Sequence, residues 1–203
     1  RLSNRLYQFI FSDLMVQVAG ATVGPEAQLF HEQWVVKGAE QGMKFSWHQD
    51  SGYVKWYDPT TSHKPYVTCW CTLDAVNEEN GTVYILPHSR AGTKGKIIDH
   101  HKEEGTNDLI GYTGPDPGDP LIVPAGSIVA FDSYLFHRSG PNKTNRMRRI
   151  YLPQYSGAPI TRADGLPWAL AVPFLKDGKL IYDHAADTQE KYGPVPTGKK
   201  APA

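Results

Sequence analysis

Three side chains in this sequence have the types and spacing that could hold a metal ion. His48 and Asp50 lie two positions apart, and in an extended strand residues i and i+2 point to the same face, so an imidazole and a carboxylate can approach one point. His137, at the end of an apolar strand predicted over 127–136, can supply a third ligand. Two histidines and a carboxylate form the facial triad that holds non-haem Fe(II) and leaves positions open for other ligands. The triad therefore predicts a non-haem iron site.

Each half of this motif is weak by itself. A His-x-Asp segment often arises by chance, and a lone histidine at a strand end is more often a hydrogen-bonded core or surface residue. The segment after His137 strengthens the prediction, because residues 137–149 have the pattern of strand, turn and strand. If this hairpin turns at its centre, His137 faces Arg148 with Cβ atoms about 5 Å apart, and Ser139 lies on the same face.

A buried arginine beside a metal site needs an anion, because burying an unpaired charge is costly. A dicarboxylate that chelates iron at one end and places its far carboxylate on the guanidinium of Arg148 would remove this cost. This is the arrangement that a 2-oxoglutarate oxygenase requires. A slip of one residue in the strand register would reverse the face and remove the argument.

The elements that position these residues can be predicted from periodicity and turn residues. Apolar residues at helical spacing predict a helix over 5–19 that ends at Gly20. Asn80-Gly81 predicts a hairpin between two strands, and the long connection 88–119 is predicted to be functional. One helix followed by many short strands is typical of an all-β sandwich or barrel with a helix packed on one side. The predicted strands are 27–36, 44–50, 66–74, 82–87, 121–124, 127–136 and 147–155, with a polar loop over 51–65.

Composition and charge exclude several classes of protein. The 203 residues suffice for one domain with a substantial core, and 21 basic against 21 acidic side chains give no electrostatic reason to bind nucleic acid or an anionic membrane. No apolar run approaches the roughly 20 residues of a membrane helix. Cys69 and Cys71 are too few for a disulfide scaffold or a zinc site, so we expect reduced thiols and a cytoplasmic location. The chain starts at Arg1 rather than at a methionine, which leaves open that a targeting segment precedes it, although no visible segment resembles one.

Four segments together resemble the phytanoyl-CoA dioxygenase family of Fe(II)/2-oxoglutarate-dependent oxygenases. They are residues 47–50, 80–90, 124–132 and 137–149. The resemblance implies a mainly β fold with a double-stranded β-helix core, which is jelly-roll and cupin-like, and a flanking helix. We therefore expect a single oxygenase domain over 1–203, divided into helical N-terminal support (1–25), the jelly-roll core (26–155) and a C-terminal wrap (156–203).

The resemblance also implies which residues bind the cofactors Fe(II), 2-oxoglutarate and O2. The implied iron ligands are His48, Asp50 and His137. Arg148 and Ser139 are implied to hold the far carboxylate of 2-oxoglutarate, and Trp70 and Gln33 match positions that commonly line the cosubstrate pocket. Two features depart from the family pattern. Residues 87–90 read Pro-His-Ser-Arg where relatives usually have Pro-Gly-Ser-His, and the helical region before the core is short.

The activity implied by the resemblance is hydroxylation, or another oxidation of a C–H bond, of a small or lipid-like organic molecule with release of succinate and CO2. Because Asp50 is present, hydroxylation, desaturation or ring closure is favoured over halogenation, since related halogenases lack this carboxylate. Two alternatives stay open. One is an acyl-CoA hydroxylase like the family's namesake, and the other is a jelly-roll protein that binds a metal or ligand without turnover.

Several other residues allow two interpretations. Tyr53, Trp56 and Tyr57 could form an aromatic wall over the substrate or could anchor their loop. His100 and His101 point to opposite sides of an extended chain, which is poor for one metal. The basic run 138–149 could suggest enzymes that demethylate nucleic-acid bases, but the zero net charge argues against nucleic acid. Basic residues near 94–102 could attract coenzyme A or form a solvated loop, and the sequence predicts no oligomeric state.

Overall fold

Strands make up most of the regular structure. The computed structural model describes residues 4–40, 43–183 and 185, which form four helices and twelve strands. The chain is therefore mainly β, as the sequence predicted. The helices are α1 (Asn4–Ile10), α2 (Asp13–Val23), α3 (Asp50–Tyr57) and α4 (His88–Ala91). The strands are β1 (Ala27–Lys37), β2 (Phe45–His48), β3 (Val67–Thr72), β4 (Val83–Leu86), β5 (His101–Lys102), β6 (Leu109–Ile110), β7 (Asp119–Pro120), β8 (Ile128–Asp132), β9 (Phe136–Ser139), β10 (Arg148–Ser156), β11 (Val172–Lys176) and β12 (Lys179–Leu180).

The chain divides into two units. The first comprises residues 1–32, 62–67 and 153–203, and the second comprises 33–61 and 68–152. Strands β1, β3 and β10 contribute residues to both units. Every residue to which the sequence assigned a role in the site belongs to the second unit. The single domain with its three segments stays a prediction, and residues 1–3, 184 and 186–203 of its terminal segments lie outside the described residues.

The first unit contains both N-terminal helices and an antiparallel arrangement in which β11 lies between β1 and β12. Its core is aromatic: the ring of Phe11 stacks on that of Tyr182 with centroids 3.7 Å apart and contacts Phe174. The hydroxyl of Tyr155 donates a hydrogen bond to the carbonyl oxygen of Ile10. None of the helices in the described part of the chain has the length and hydrophobicity that a membrane crossing requires.

The single helix predicted over 5–19 is wrong, because the chain forms two helices interrupted at residues 11–12. Ser12 has extended backbone geometry, and its hydroxyl accepts a hydrogen bond from the amide of Met15, so this residue caps α2. Helix α2 continues through Gly20 and ends before Gly24, whose φ of 104° is unfavourable for other residues. A capping serine inside an apolar pattern therefore divided the helix where the periodicity showed no break.

Two sheets form the second unit. The main sheet has the strand order β1-β10-β3-β8, and the minor sheet has the order β2-β9-β4-β7 with antiparallel pairing. Buried side chains from both sheets pack into one apolar cluster, including Trp70 of β3, Val83 of β4, Phe131 of β8 and Ile150 of β10. The minor sheet carries both histidines of the predicted triad.

Three predicted connections are wrong in the same way. Strands β3 and β4 belong to different sheets, so the turn at Asn80-Gly81 joins two sheets rather than a hairpin. The strand predicted over 127–136 is divided into β8 and β9, which also lie in different sheets. Strand β9 does not pair with β10, so His137 lies opposite His48 and Ile85 rather than opposite Arg148. Turn residues specify a local reversal, whereas strand pairing depends on which faces are buried against distant segments.

Two shorter predictions also change. The strand predicted over 121–124 is reduced to an isolated bridge between Val123 and Val76. The segment 51–65, predicted to be a loop, starts with most of α3. The connection 88–119 carries only the short elements α4, β5, β6 and β7, which agrees with a long excursion from the sheets.

Candidate active site

His48, Asp50 and His137 lie together in the second unit. His48 is the last residue of β2 and lies opposite His137 of β9 in the antiparallel pairing, and both are buried. One possible ligand atom from each of the three residues lies within 4.8 Å of the others. Asp50 Oδ1 is 3.5 Å from His137 Nε2 and 3.9 Å from His48 Nε2. The three side chains therefore surround one point, where a metal ion could bind.

The local structure of the His-x-Asp segment differs from the prediction. The strand predicted over 44–50 ends at His48, and Gln49, with φ −106° and ψ 138°, leads into α3. Asp50 is thus the first residue of a helix and not the third residue of a strand. The same-face argument for a strand was wrong at this point, although the two side chains do converge.

Both imidazoles are held in the tautomer that a metal ligand needs. His48 Nδ1 lies 2.7 Å from the carbonyl oxygen of Ser46, and His137 Nδ1 lies 3.0 Å from that of Leu135. Because a carbonyl only accepts, each Nδ1 carries a hydrogen, so in the neutral form of each imidazole Nε2 keeps its lone pair. Both Nε2 atoms face the carboxylate of Asp50. Hydrogen bonds of this kind orient the ligands of metal sites.

The carboxylate of Asp50 is oriented as well. The hydroxyl of Thr68 donates a 2.5 Å hydrogen bond to Oδ2, while Oδ1 faces the two imidazoles. Burial by itself raises the pKa of Asp50, but the neighbouring His137 and His48 outweigh burial and bring the pKa to about 2. Burial, followed by the charge of His137, lowers the pKa of His48. Burial opposes protonation of His137 too, but Asp50 raises its pKa above the ordinary value. A metal ion binds the ionised carboxylate and the neutral imidazole, so its binding would displace the proton that Asp50 favours on His137.

The peptide between the two ligands of this segment has its own partner. The amide of Gln49 donates a 2.9 Å hydrogen bond to His100 Nε2, and His100 Nδ1 lies 2.7 Å from the carbonyl oxygen of Ile98. The His100 ring fits closely, since a Cβ atom at Gly52 or Gly111 would lie within 2.6 Å of it. The side-chain amide of Gln49 bonds three further backbone groups, at Lys96, Ile98 and Tyr134. Residues 96–100 are therefore attached to the segment that carries the ligands.

The sequence assigned no role to His100. It did place His100 and His101 on opposite sides of the chain, and His100 is buried while His101 is exposed. The hydrogen bond between the amide of Gln49 and His100 was not predicted, because these residues are 51 positions apart in the sequence. The glycines at 52 and 111, which leave room for a ring, are the one local signal that could have pointed to it.

Arg148 is a buried cation with unused donors. It lies on β10 of the main sheet with 1% of its surface exposed, and its guanidinium is 5.6 Å from the ring centroid of Trp70. Its Nη2 donates to the carbonyl oxygen of Gly81. Its Nε and Nη1 atoms are buried and have no hydrogen-bond partner among the described residues. Burial lowers the pKa of Arg148 to about 10. Unused donors on a buried guanidinium fit an anion such as a carboxylate.

A second buried cation, Lys37, lies nearby and was missed by the sequence. It is the last residue of β1, and its Nζ donates to Ser139 Oγ at 2.8 Å, to the carbonyl oxygen of Met43 at 3.2 Å and to that of Gly140. Burial, followed by the charge of Arg148, lowers the pKa of Lys37 to about 7. One signal in the sequence could have pointed to its burial. Lys37 lies two positions after Val35 on the same face of β1, and Val35 packs against the core cluster.

The remaining predicted residues differ in their surroundings. Trp70 is buried in the apolar cluster beside Arg148. Gln33 is exposed, although it lies on the same face of β1 as Val35, which packs against the core cluster. Its role in the cosubstrate pocket stays a prediction. Tyr53 anchors its helix: its ring meets that of His48 edge-on at 5.2 Å, and its hydroxyl accepts a hydrogen bond from the amide of Leu109. Trp56 and Tyr57 are exposed.

The residues present fit both groups that a 2-oxoglutarate oxygenase holds. Two imidazole nitrogens and one carboxylate oxygen are the donor set of the facial triad. The two unpartnered nitrogens of Arg148 fit an anion such as a carboxylate, and Ser139 Oγ accepts a hydrogen bond from the second cation, Lys37.

Comparison with known proteins supports this interpretation. The family model described as phytanoyl-CoA dioxygenase matches residues 1–150. The peroxisomal phytanoyl-CoA dioxygenase of Mus musculus is 28% identical over 71% of this chain and 44% of its own length. The probable alpha-ketoglutarate-dependent hypophosphite dioxygenase of Stutzerimonas stutzeri is 29% identical, over 58% of this chain and 41% of its own. Methylphosphonate hydroxylase of Gimesia maris is 25% identical, over 88% and 58%. The chain spans about half the length of the curated relatives it matches.

Solved structures show the same architecture. EvdO2 from Micromonospora carbonacea var. aurantiaca, complexed with 2-oxoglutarate, superposes with a TM-score of 0.61 and 25% identity, over 80% of this chain and 67% of that one. The apo form of ThoJ, a non-haem monooxygenase, has a TM-score of 0.62 at 17% identity, over 74% and 54%, and supports the fold alone. The predicted mainly β fold with a double-stranded β-helix core is confirmed.

Proposed function

The chain belongs to the phytanoyl-CoA dioxygenase family, and from this premise we propose that it is an Fe(II)- and 2-oxoglutarate-dependent dioxygenase. It oxidises a C–H bond of a small or lipid-like organic molecule and releases succinate and CO2. The observation that carries the proposal is the buried guanidinium of Arg148, which has two unpartnered nitrogens in the same unit as the His-Asp-His cluster. A metal site alone would not require this cation, whereas a chelating dicarboxylate does.

Each residue has a defined task in this proposal. His48, Asp50 and His137 hold the iron through Nε2, Oδ1 and Nε2. Arg148 and Ser139 bind the far carboxylate of the cosubstrate. When bound, Fe(II) and 2-oxoglutarate would supply the oxidising chemistry: 2-oxoglutarate loses CO2 and takes one oxygen atom of O2 to become succinate, and the other oxygen atom enters a C–H bond in hydroxylation or leaves as water in desaturation or ring closure. Because Asp50 fills a ligand position, the outcome is hydroxylation, desaturation or ring closure rather than halogenation.

The substrate is proposed to be a small molecule that reaches the centre beside the long connection 88–119. Residues 96–100 of this connection are attached to the ligand segment through Gln49 and His100. The names of the relatives cover an acyl-CoA, hypophosphite, methylphosphonate and L-proline, so the family tolerates substrates of very different size. Within residues 87–90, which depart from the family pattern, two side chains have carboxylate partners. His88 Nε2 lies 2.9 Å from Asp132 Oδ2, and Arg90 donates hydrogen bonds to Asp116 and Asp119.

The predicted absence of a nucleic-acid partner stays a prediction, and three cations of the basic run have contacts within the protein. The guanidinium of Arg138 lies over the ring of Tyr84 at 3.9 Å, and Arg149 is paired with Asp74 at 2.7 Å. Arg148 is buried. The cytoplasmic location also stays a prediction, and Cys69 and Cys71 are free and buried.

The proposal is tested by measuring succinate formed from 2-oxoglutarate with Fe(II) and O2, first without a substrate and then with pools of candidate metabolites. We expect succinate from the wild-type protein and a loss of about a hundredfold or more in Asp50→Ala, which removes a metal ligand. His101→Ala, at an exposed histidine, is the matched control and keeps wild-type turnover.

Three outcomes decide between the candidate functions. Full iron-dependent turnover by Asp50→Ala contradicts the assigned centre. Metal binding without any succinate identifies a binding protein instead of an enzyme. Competition by free coenzyme A against substrate turnover identifies the acyl-CoA hydroxylase.

A further inference from the structure

Lys37 is the one buried lysine among the residues that the structure describes, and its environment is unusual. Its side chain is fully buried, and its Nζ donates to Ser139 Oγ, to the carbonyl oxygen of Met43 and to that of Gly140. An ammonium group has three N–H donors and no acceptor. Three acceptors therefore use all of its hydrogens, and Lys37 has none left for a ligand.

The contact with Lys37 fixes how Ser139 can use its hydroxyl. In its ammonium form Lys37 only donates, so Ser139 Oγ accepts in this 2.8 Å hydrogen bond. The hydroxyl hydrogen of Ser139 is then directed away from Lys37. The backbone of Ser139 is also fixed, because it pairs with Phe45 of β2 and Val83 of β4. Ser139 is thus prepared to donate to an anion.

Lys37 and Arg148 are connected through two adjoining peptide groups. Arg148 Nη2 donates to the carbonyl oxygen of Gly81. Gly81 in turn lies so close to Gly140 that a Cβ atom on it would be 2.6 Å from the Gly140 carbonyl oxygen, which is the oxygen that accepts from Lys37. The proximity of the two cations also appears in the lowered pKa of Lys37, to which Arg148 contributes. Neither cation has a carboxylate hydrogen-bond partner among the described residues.

We infer that Lys37 is a positioning residue of the cosubstrate pocket, which orients the hydroxyl of Ser139 so that it donates to the same carboxylate as Arg148. This inference rests on the proposed function, because it assumes that the anion is the far carboxylate of 2-oxoglutarate. Lys37 acts through Ser139 and does not touch the cosubstrate.

The test compares two keto acids that differ only at the far end. 2-Oxoglutarate has a carboxylate there, and 2-oxopentanoate has a methyl group in its place. Their affinities for the Mn(II)-loaded protein are measured by calorimetry for wild type, Lys37→Met, Ser139→Ala and the double variant. Lys44→Met is the matched control, because Lys44 is an exposed lysine of the same region that pairs with Glu103.

We expect Lys37→Met to weaken 2-oxoglutarate binding at least about fivefold, which corresponds to about 1 kcal/mol, the net contribution of one typical hydrogen bond. Binding of 2-oxopentanoate and of Mn(II) stays at the wild-type level, as do all affinities of Lys44→Met. The double variant loses no more affinity for 2-oxoglutarate than Ser139→Ala alone, because Lys37 acts through that hydroxyl. If Lys37→Met does not fold, Lys37→Leu, which removes the same donors, takes its place.

Other results overturn the inference. These are a loss smaller than about fivefold, an equal loss for 2-oxopentanoate, or losses that multiply in the double variant. Failure of the wild-type protein to bind 2-oxoglutarate would be a different result, because it contradicts the proposed function itself.

Discussion

The hydrogen bond from Thr68 to Asp50 decides which oxygen of the carboxylate is available. Thr68 is fully buried on β3, and its hydroxyl lies 2.5 Å from Oδ2. The other oxygen, Oδ1, faces both imidazoles. Removing a residue that hydrogen-bonds a metal ligand typically lowers the affinity for the metal by about 10–100-fold. The hydroxyl of Thr68 is therefore expected to raise the affinity of the three ligands for a metal ion.

Replacing Thr68 by valine keeps the shape of the side chain and removes the donor. We expect the affinity for Mn(II) or Fe(II) to fall by about 10–100-fold, the usual effect of losing such a partner. Calorimetric titration of the purified protein measures this change. Thr72→Val is the matched control, because Thr72 is also buried on β3 but bonds the carbonyl oxygens of Pro124 and Ser127. Equal metal affinities of Thr68→Val and wild type would show that the Asp50 carboxylate needs no such orientation.

At the scale of elements, the turn at Gly81 links the two sheets and also serves the site. Gly81 has a φ of +79°, where other residues are strained, and its carbonyl oxygen accepts from Arg148. A Cβ atom would lie 2.6 Å from the carbonyl oxygen of Gly140 and 3.0 Å from backbone atoms of Pro141. Only glycine permits both the turn and this close approach. The turn therefore couples strand β4 to the position of the buried guanidinium.

Gly81→Ala is expected to lower both stability and the affinity for 2-oxoglutarate. The left-handed backbone costs about 1–2 kcal/mol, and the clash with the backbone of Gly140 adds to this cost. Gly92→Ala is the matched control, because Gly92 has a φ of +66° but no atom within 4 Å of the added Cβ. Thermal melts and calorimetry should therefore show a larger loss of Tm for Gly81→Ala, and weaker 2-oxoglutarate binding only in that variant. The same Tm and affinity in both variants would rule out a role for the close approach.

Strands were easier to predict from the sequence than the pairing of those strands. The segments of β1, β3 and β10 stand out because they are rich in β-branched and aromatic residues, and all three form close to the predicted bounds. Asn80-Gly81 and residues 139–145 do lie between strands, but each connects different sheets. Turn chemistry acts over a few residues, whereas pairing follows from burial against strands that are distant in the sequence. The local pattern could not supply this information.

The candidate site was predicted better than its geometry. The convergence of His48, Asp50 and His137 was expected, although Asp50 begins a helix and His137 lies opposite His48 instead of Arg148. Residue types and spacing therefore suggested the donor set even where the predicted register was wrong. Lys37 was missed because a lysine in a strand is usually exposed, and its burial depends on acceptors up to 103 residues away.

At the scale of the whole molecule, charge is balanced overall but not in the second unit's interior. The 21 basic and 21 acidic residues cancel, yet Lys37 and Arg148 are buried with no carboxylate hydrogen-bonded to either among the described residues. Burying cations in this way opposes folding. An anion that binds only the folded protein relieves this opposition and adds stability in proportion to its affinity. The ligand-free protein is therefore expected to have a lower free energy of unfolding than the same protein with an anion bound beside these two cations.

Arg148→Met tests this balance, because two properties should change in opposite directions. Burying a charge without an anionic partner costs several kcal/mol. We therefore expect the Tm of the ligand-free protein to rise by several degrees when this charge is removed, although the hydrogen bond to Gly81 is lost with it. The further rise that 2-oxoglutarate adds to that of Mn(II) alone, worth about 2.7 kcal/mol at a hundred times Kd in the wild-type protein, should be largely lost.

Arg149→Met is the control for this experiment, since Arg149 is exposed and pairs with Asp74 on the surface. Its Tm without ligand should stay near the wild-type value, and its response to 2-oxoglutarate should be intact. Differential scanning calorimetry of the three proteins, each with and without metal and cosubstrate, measures both effects. If Arg148→Met kept the full stabilisation by 2-oxoglutarate, the buried guanidinium would not be what binds the far carboxylate, and the unpartnered nitrogens would need another explanation.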